Sequence, residues 1–455
     1  MHKISVKDFP GLDLGDVRRN ERFITIIENI TSQPGSSIPK QSEGWYDTKA
    51  TYEFFKNGSI SVEELKKVIE LYGASQVAGL GQVLVIHDTS NISFNDLQAE
   101  GLGYLDSKVG RGIMCHNSIA VSTEGLPLSL VHQHSYIRPL EDLEQIEKPK
   151  QSRRFEDKES YRWYRGMTEV NESLGKGVHK IHIADREADV YDLFFSAYQD
   201  NTDLLIRSHY NRSLSDGSHL WDTVSLSQQK GTIELSIPDE KGRNVGKVKA
   251  SVRYEPVEVL RPSTSKSSYK SVELIAIEIK QTGGVEVDVQ PIHWQLLTTL
   301  DVNELEDVVK YIKWYTYRWL IERFHYVLKS GTKIEELRLK QASSLQKAIA
   351  LYSIAGFRIM QLVYESRSFP HASCEVILTR AQWHVLYMLI HKSNEIPKEA
   401  PTLSQAVMWI ARLGGHLGRK SDGPPGLKTT WLGYQRICDA ADVYELLNSQ
   451  NLGKG

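Results

Sequence analysis

Cysteine is scarce. The 455 residues include three, Cys115, Cys374 and Cys438, far apart and without a CxxC pair. That argues against a zinc site or a disulfide scaffold and suits a reducing cytoplasm. Net positive charge is missing too: 55 Lys and Arg face 57 Asp and Glu, a net charge of −2. A nucleic-acid partner cannot be argued from the whole chain, so any basic surface must be local. No apolar run approaches the ~18 residues of a membrane span. The opening "MHKISVKDFPGLDLGD" has no apolar h-region, so no signal peptide is expected. Internal repeats and low-complexity tracts are absent. What is present is an ordinary globular composition, 40% apolar and 25% charged, long enough for two to four domains.

Residues 15–75 read as short helices around the polar loop "SQPGSSIPKQSEG". "QVLVIHD" (82–88) is a short β-branched run, read as a buried strand closing on Asp88. "NSIAVST" (117–123) and "PLSLVHQ" (127–133) flank "EGL" as a hairpin. Helical spacing follows over 158–173, then the strand "VHKIHIAD" (178–185) ending in Asp185, a helix over 186–199, and the strand "DLLIRS" (203–208). The order is β-β-β-α-β-α-β. Residues 211–300 switch to all-β texture, an insertion before the next helix. That helix is expected to start at an Asn303 N-cap with Glu306 completing a capping box, and to run about eight turns to Gly331. Residues 341–363 and 375–448 read as further helices, broken at "KSDGPPGLK" (420–428).

The stretch "YTYRWLIERFHYVLKSG" (315–331) places charges among bulky apolar residues. At about 100° per residue from Tyr315, Arg318 falls near about 300°, Lys329 near about 320° and Glu322 near about 340°. One face would thus carry Tyr, Arg, Glu and Lys. A solvated face with i,i+4 ion pairs is the plain reading. Against it, residues 311–340 hold seven Lys and Arg against three Glu, a local basic excess. Asp88 and Asp185 also close the two strongest strands, where sites form in open α/β sheets. Three converging carboxylates need cations between them, and oxygen donors suit Mg2+. Two ions about 3.5–4 Å apart would serve an in-line phosphoryl displacement.

The pattern Tyr315-x2-Arg318-x3-Glu322-x6-Lys329, with Trp319 and Ile321, resembles the YREK signature of the insertion sequence four family of DDE transposases. "HDTS" at Asp88 and "ADREADVYDLF" at Asp185 resemble that family's first two acid blocks. The spacing, 97 residues from Asp88 to Asp185 and 137 more to Glu322, fits as well. "LGDVRRNERF" and "WIARLGGHLGRK" resemble the terminal regions of its transposon five type. The resemblance implies an α/β fold: a ribonuclease H-like catalytic core with an antiparallel β insertion, flanked by N- and C-terminal helical domains. Its parts would be an end-binding domain (1–75), the core (76–363, insertion 211–300) and a dimerisation domain (364–455). It implies cut-and-paste transposition by 3′-end nicking, hairpin formation and resolution, and strand transfer. Asp88, Asp185 and Glu322 would be catalytic and would hold two Mg2+ ions, with Mn2+ able to substitute. Tyr315, Arg318 and Lys329 would grip DNA phosphates, Trp294 would stack on a flipped base, and Arg207 would lie near that base. The partners implied are terminal inverted repeats, target DNA and a second copy in a synaptic complex, without a membrane, in the bacterial cytoplasm and at the nucleoid when acting.

One departure stands out: the family pattern has Lys four residues after the Glu, and this chain has Tyr326. Either that phosphate contact is lost or the phenol makes it; Arg323 projects at another angle. His132 and His134 share a strand face but have no evident third metal ligand. Asp189 and Asp192 read as solvated or capping residues. Two rival functions remain, a structure-specific nuclease without strand transfer and a catalytically idle DNA-binding regulator.

Overall fold

The computed structural model describes residues 4–106, 109–141, 158–196, 201–238, 244–265, 267–284, 291–419 and 422–451. Four helices lead: α1 (Val17–Ser32), α2 (Ile38–Gln41), α3 (Trp45–Lys56) and α4 (Val62–Val77). The Asp16 side chain caps α1 by accepting from the Arg18 N–H, and Ser61 with Glu64 forms a capping box on α4. Then come β1 (Gln82–Ser93), β2 (Gly103–Tyr104), β3 (Arg111–Val121), β4 (Pro127–Tyr136), α5 (Tyr161–Leu174), β5 (His179–Ala184), α6 (Leu193–Ser196) and β6 (Thr202–Arg207).

The strand order β4-β3-β1-β5-β6, with β1 antiparallel to β3 and parallel to β5, is ribonuclease H-like. β1 is buried on both faces, as a central strand with a parallel neighbour should be. Val83 and Val85 pack with Val170 of α5, while Leu84 and Ile86 join the main core on the other side. β1 does not stop at Asp88. It runs on to Ser93, because antiparallel pairing with β3 continues after the parallel partner β5 has ended. Asp88 is therefore a mid-strand residue, paired with Asn117.

The segment expected as one helix over 186–199 is a 3-10 turn, Arg186–Ala188, followed by α6; residues 197–199 lie outside the described residues. The insertion adds α7 (Leu220–Leu226), a helix inside the all-β stretch, then β7 (Gly231–Pro238), β8 (Asn244–Leu260), β9 (Ser271–Gly284) and β10 (His293–Thr298). These strands form no separate layer: β10 pairs antiparallel with β6, extending one mixed sheet through β10-β9-β8-β7.

The long helix expected over 303–331 is three pieces: α8 (Leu305–Thr316), α9 (Trp319–Tyr326) and a π turn, Val327–Gly331. Its N-cap is Glu304, and Asp307 Oδ2 accepts from the Asn303 N–H at 3.1 Å in place of the expected capping box. The break has a tertiary cause. Trp314 Nε1 and the Tyr317 hydroxyl donate to the carbonyls of Thr123 and Glu124 at 3.2 and 3.0 Å, tying the helix to the β3–β4 turn. There the backbone tightens to i→i−3 bonds, such as Arg318 N–H to the Tyr315 carbonyl at 3.1 Å. The largely buried α10 (Ala342–Ser368) follows, then α11 (Arg380–His391), α12 (Leu403–Leu413) and α13 (Leu427–Asn451). Among the described residues no helix is long and apolar enough to cross a membrane.

α4 docks on β4 through Gly73, where an added Cβ would sit 2.8 Å from both the Leu130 carbonyl oxygen and Val131 Cα. Gly73→Ala should therefore cost about 1–3 kcal/mol through overpacking and lower the thermal midpoint. Gly81→Ala, where a Cβ meets nothing within 4 Å, is the control and should leave it nearly unchanged.

Candidate active site

The register of two parallel strands begins the site. Ile86 of β1 pairs with Ile183 of β5, so two residues further Asp88 stands beside Asp185. Asp88 Oδ1 accepts from the Thr89 N–H at 2.8 Å. Asp185 caps its 3-10 turn by accepting from the Glu187 N–H at 2.9 Å. α9 crosses β1 and brings in Glu322, whose Oε1 accepts from Arg318 Nη1 at 2.7 Å. The three carboxylates feel one another. Burial, with Asp185 and Glu322 nearby, pushes the Asp88 carboxyl up to about 7, although Arg318 pulls the other way. Burial raises Glu322 as well, and the Arg318 guanidinium opposes it. The sequence-predicted acids are thus brought together, with Arg318 paired to one of them.

The other predicted residues form a ring around them. Arg318 lies over the Trp319 ring at 5.2 Å, within electrostatic reach of Tyr315, Glu322, Asp88 and Asp185. Tyr315 is 3% exposed, and its hydroxyl has no hydrogen-bond partner among the described residues. Arg207, at the end of β6, donates from Nη2 to the His293 carbonyl at 3.1 Å. Trp294 is buried at 9% exposure, its ring 5.2 Å from that of Tyr315. Lys329 sits on the π turn and donates from Nζ to Asn91 Oδ1 at 3.2 Å; burial lowers its pKa. Gly331 closes the turn in a tight place. A Cβ there would meet the Trp431 ring of α13 at 3.3 Å, and a Cβ on Gly35 would meet the Gly331 carbonyl oxygen at 2.9 Å. Tyr326 faces Trp431 with ring centroids 5.6 Å apart.

Four surroundings were not foreseen. His132 gains Glu70 and Glu169, with Nδ1 at 3.2 and 3.4 Å from their oxygens. These are 62 and 37 residues away in sequence, beyond any local pattern. Lys66 Nζ already sits 2.9 Å from Glu169 Oε2 and 3.9 Å from Glu70 Oε1, so an ammonium supplies the cation there. Asp189 is not solvated: it is 2% exposed, accepts from the backbone N–H groups of His209 and Tyr210, and pairs with Arg212. A cleft of about 1300 Å3 opens beside the acids and shares Asp185 with them, its other lining including Arg138, Arg162, Arg186 and Arg261. Arg162 reaches from α5 to donate to Thr89 Oγ1 at 2.9 Å, next to Asp88. His325, three residues after Glu322, places Nδ1 3.7 Å from Asp88 Oδ2. The Glu-x-x-His spacing on one helix face was a readable signal for it.

Residues 2–60 match the protein-family model described as "Transposase DNA-binding". Residues 354–445 match the one described as "Transposase Tn5 dimerisation domain". The two matches support a Tn5-like transposase. Among solved structures, the chain is similar to one described as the cryo-EM structure of the piggyBac transposase synaptic complex with hairpin DNA. The TM-score is 0.39 and the identity 9%, over 78% of this chain and 67% of that one.

The burial of Asp88 beside other carboxylates has a stability signature. An unfolded Asp titrates near about 4, so between there and about 7 the fold holds a proton that the unfolded chain has lost. Stability falls as pH rises through that window, and the full penalty stands above it. Without divalent ions, Asp88→Asn should raise the melting temperature by a few degrees at pH 8. The gain should shrink to nothing by pH 4.

Proposed function

We propose that this chain is a DDE transposase that performs phosphoryl transfer on DNA with two divalent ions, Mg2+ by preference and Mn2+ as a substitute. The observation that carries the reading is the meeting of Asp88, Asp185 and Glu322, from two adjacent strands and a crossing helix, in a site where burial, with the neighbouring carboxylates, raises Asp88. The donors are all carboxylate oxygens, the set that hard divalent ions take. Such ions would activate the attacking water or hydroxyl and stabilise the leaving oxygen. Asp88, Asp185 and Glu322 would hold them, Asp88 giving up its proton on binding.

Around the acids, Tyr315, Arg318 and Lys329 would meet phosphate oxygens. The unpaired Tyr315 hydroxyl supports this, since a buried hydroxyl without a partner is rare and a phosphate would satisfy it. Arg318, now paired with Glu322, would turn to the phosphate as Glu322 becomes a ligand. Arg207 and Trp294 would handle a flipped base, which requires Trp294 to leave its contact with Tyr315. The reaction would run through 3′-end nicking, hairpin formation and resolution, and strand transfer. Residues 1–75 would bind terminal inverted repeats, 76–363 would carry the chemistry, and 364–455 would pair two copies in the synaptic complex. The setting would be a bacterial cytoplasm.

Glu322→Gln keeps the shape and removes one ligand charge. Given the element's own end DNA and Mg2+, it should cut slower by orders of magnitude yet bind the ends as well as wild type. Near wild-type cutting would remove the metal assignment. Cutting by wild type with no joining to target DNA would favour the plain nuclease.

Lys329→Ala tests the phosphate grip. Each phosphate contact on duplex DNA steepens the fall of log K with log salt by about 0.9, so losing one should flatten that slope by about one unit without changing base preference. An unchanged slope in folded protein would make Lys329 a partner of Asn91 alone.

A further inference from the structure

Resting on the reading of Asp88 as a metal ligand, we infer that Asn117 and His325 are positioning residues that aim a hydrogen-bond donor at its outer oxygen. Asp88, Asn117 and Gln133 lie directly across from one another on β1, β3 and β4, so they share one face of the sheet. α9 lays His325 over that face. Asp88 is partly buried and the others fully so: Asn117 is enclosed, Gln133 is 4% exposed and His325 7%.

The polarity of this row is determined link by link. Gln133 Nε2 donates to Asn117 Oδ1 at 2.9 Å and to Ser353 Oγ at 2.7 Å. The Cys115 thiol donates to the same Asn117 oxygen at 3.4 Å. With its oxygen taken by donors, Asn117 presents Nδ2 to His325 Nε2 at 3.0 Å. That nitrogen must then be the bare one, and the ring proton lies on Nδ1, the atom 3.7 Å from Asp88 Oδ2. Against the ionised Asp88 that a metal would take, the opposite polarity would set a lone pair against a carboxylate. Asp88 Oδ1 is already held by the Thr89 N–H. The relay therefore aims a donor at the other oxygen, where closing the contact would set the rotation of the carboxyl plane. The 3.7 Å gap exceeds a hydrogen bond; site contacts of this kind tighten when the site is loaded. Partners behind a ligand commonly govern affinity by orienting it.

The relay is tested by Mn2+ binding to the full chain without DNA, followed by the electron paramagnetic resonance signal of the free ion, with folding checked by thermal melts. His325→Phe should weaken binding roughly 10–100-fold. His325→Asn, whose amide nitrogen can stand where Nδ1 does, should recover most of the loss. If His325→Phe does not fold, Asn117→Leu, which keeps the ring and frees its tautomer, should show a loss of the same sign. Wild-type affinity in His325→Phe, or in Asn117→Leu where that variant stands in for it, would overturn the relay. So would an equal loss in His325→Phe and His325→Asn, since the donor would then be irrelevant. Asp88→Asn separates the two levels. If it binds Mn2+ as tightly as wild type, the metal reading of Asp88 fails and this inference falls with it. If it loses binding while His325→Phe keeps it, only the relay is wrong.

Discussion

Everything at the site follows from two parallel strands paired in register. β1 and β5 align Ile86 with Ile183, and that alignment sets Asp88 beside Asp185. Two acids so placed would separate if their backbones could move, but both strands are buried in the sheet and cannot. Burial first, and the neighbouring charge after it, leaves a carboxyl that prefers its proton up to about pH 7. Glu322 adds to the crowding, and Arg318 offsets part of it at 2.7 Å. The site is therefore held under electrostatic tension by packing elsewhere, which is the usual relation between a functional centre and its scaffold.

The legible features were those that depend on short stretches of chain. The strand texture of 82–88 and 178–185 located both aspartates, and the i,i+4 spacing located Arg318 against Glu322, a pair that survives the broken helix because it spans one turn of α9. The angular count to Lys329 rested on one uninterrupted helix. Trp314 and Tyr317 interrupt it by bonding to the Thr123–Glu124 turn, some 190 residues away, and a π turn alters the pitch again before Lys329. The insertion was visible as β texture, but not that β10 would pair with β6, since the choice of a strand partner is non-local. The same holds for Asn117, which meets Asp88 only across a ladder. His132 was seen without its carboxylates for the same reason, and Lys66, which decides the character of that cluster, lies on a helix of the N-terminal region.

Gly331 has a mechanical consequence. Its carbonyl lies against Gly35, in the segment similar to a DNA-binding domain, and its α-carbon lies against Trp431, in the segment similar to a dimerisation domain. Gly35 leaves no room for a side chain, and one at Gly331 would have to push its neighbours aside. The end of the polypeptide segment that carries Glu322 and Lys329 is thus pinched between the two ends of the chain, like a shaft seated in two bearings. Close-packed surfaces resist compression and transmit displacement. A shift of either end at this point would press on the seat, two residues from Lys329. A displacement of either terminal region at this seat would be passed on as position to the face that carries Glu322.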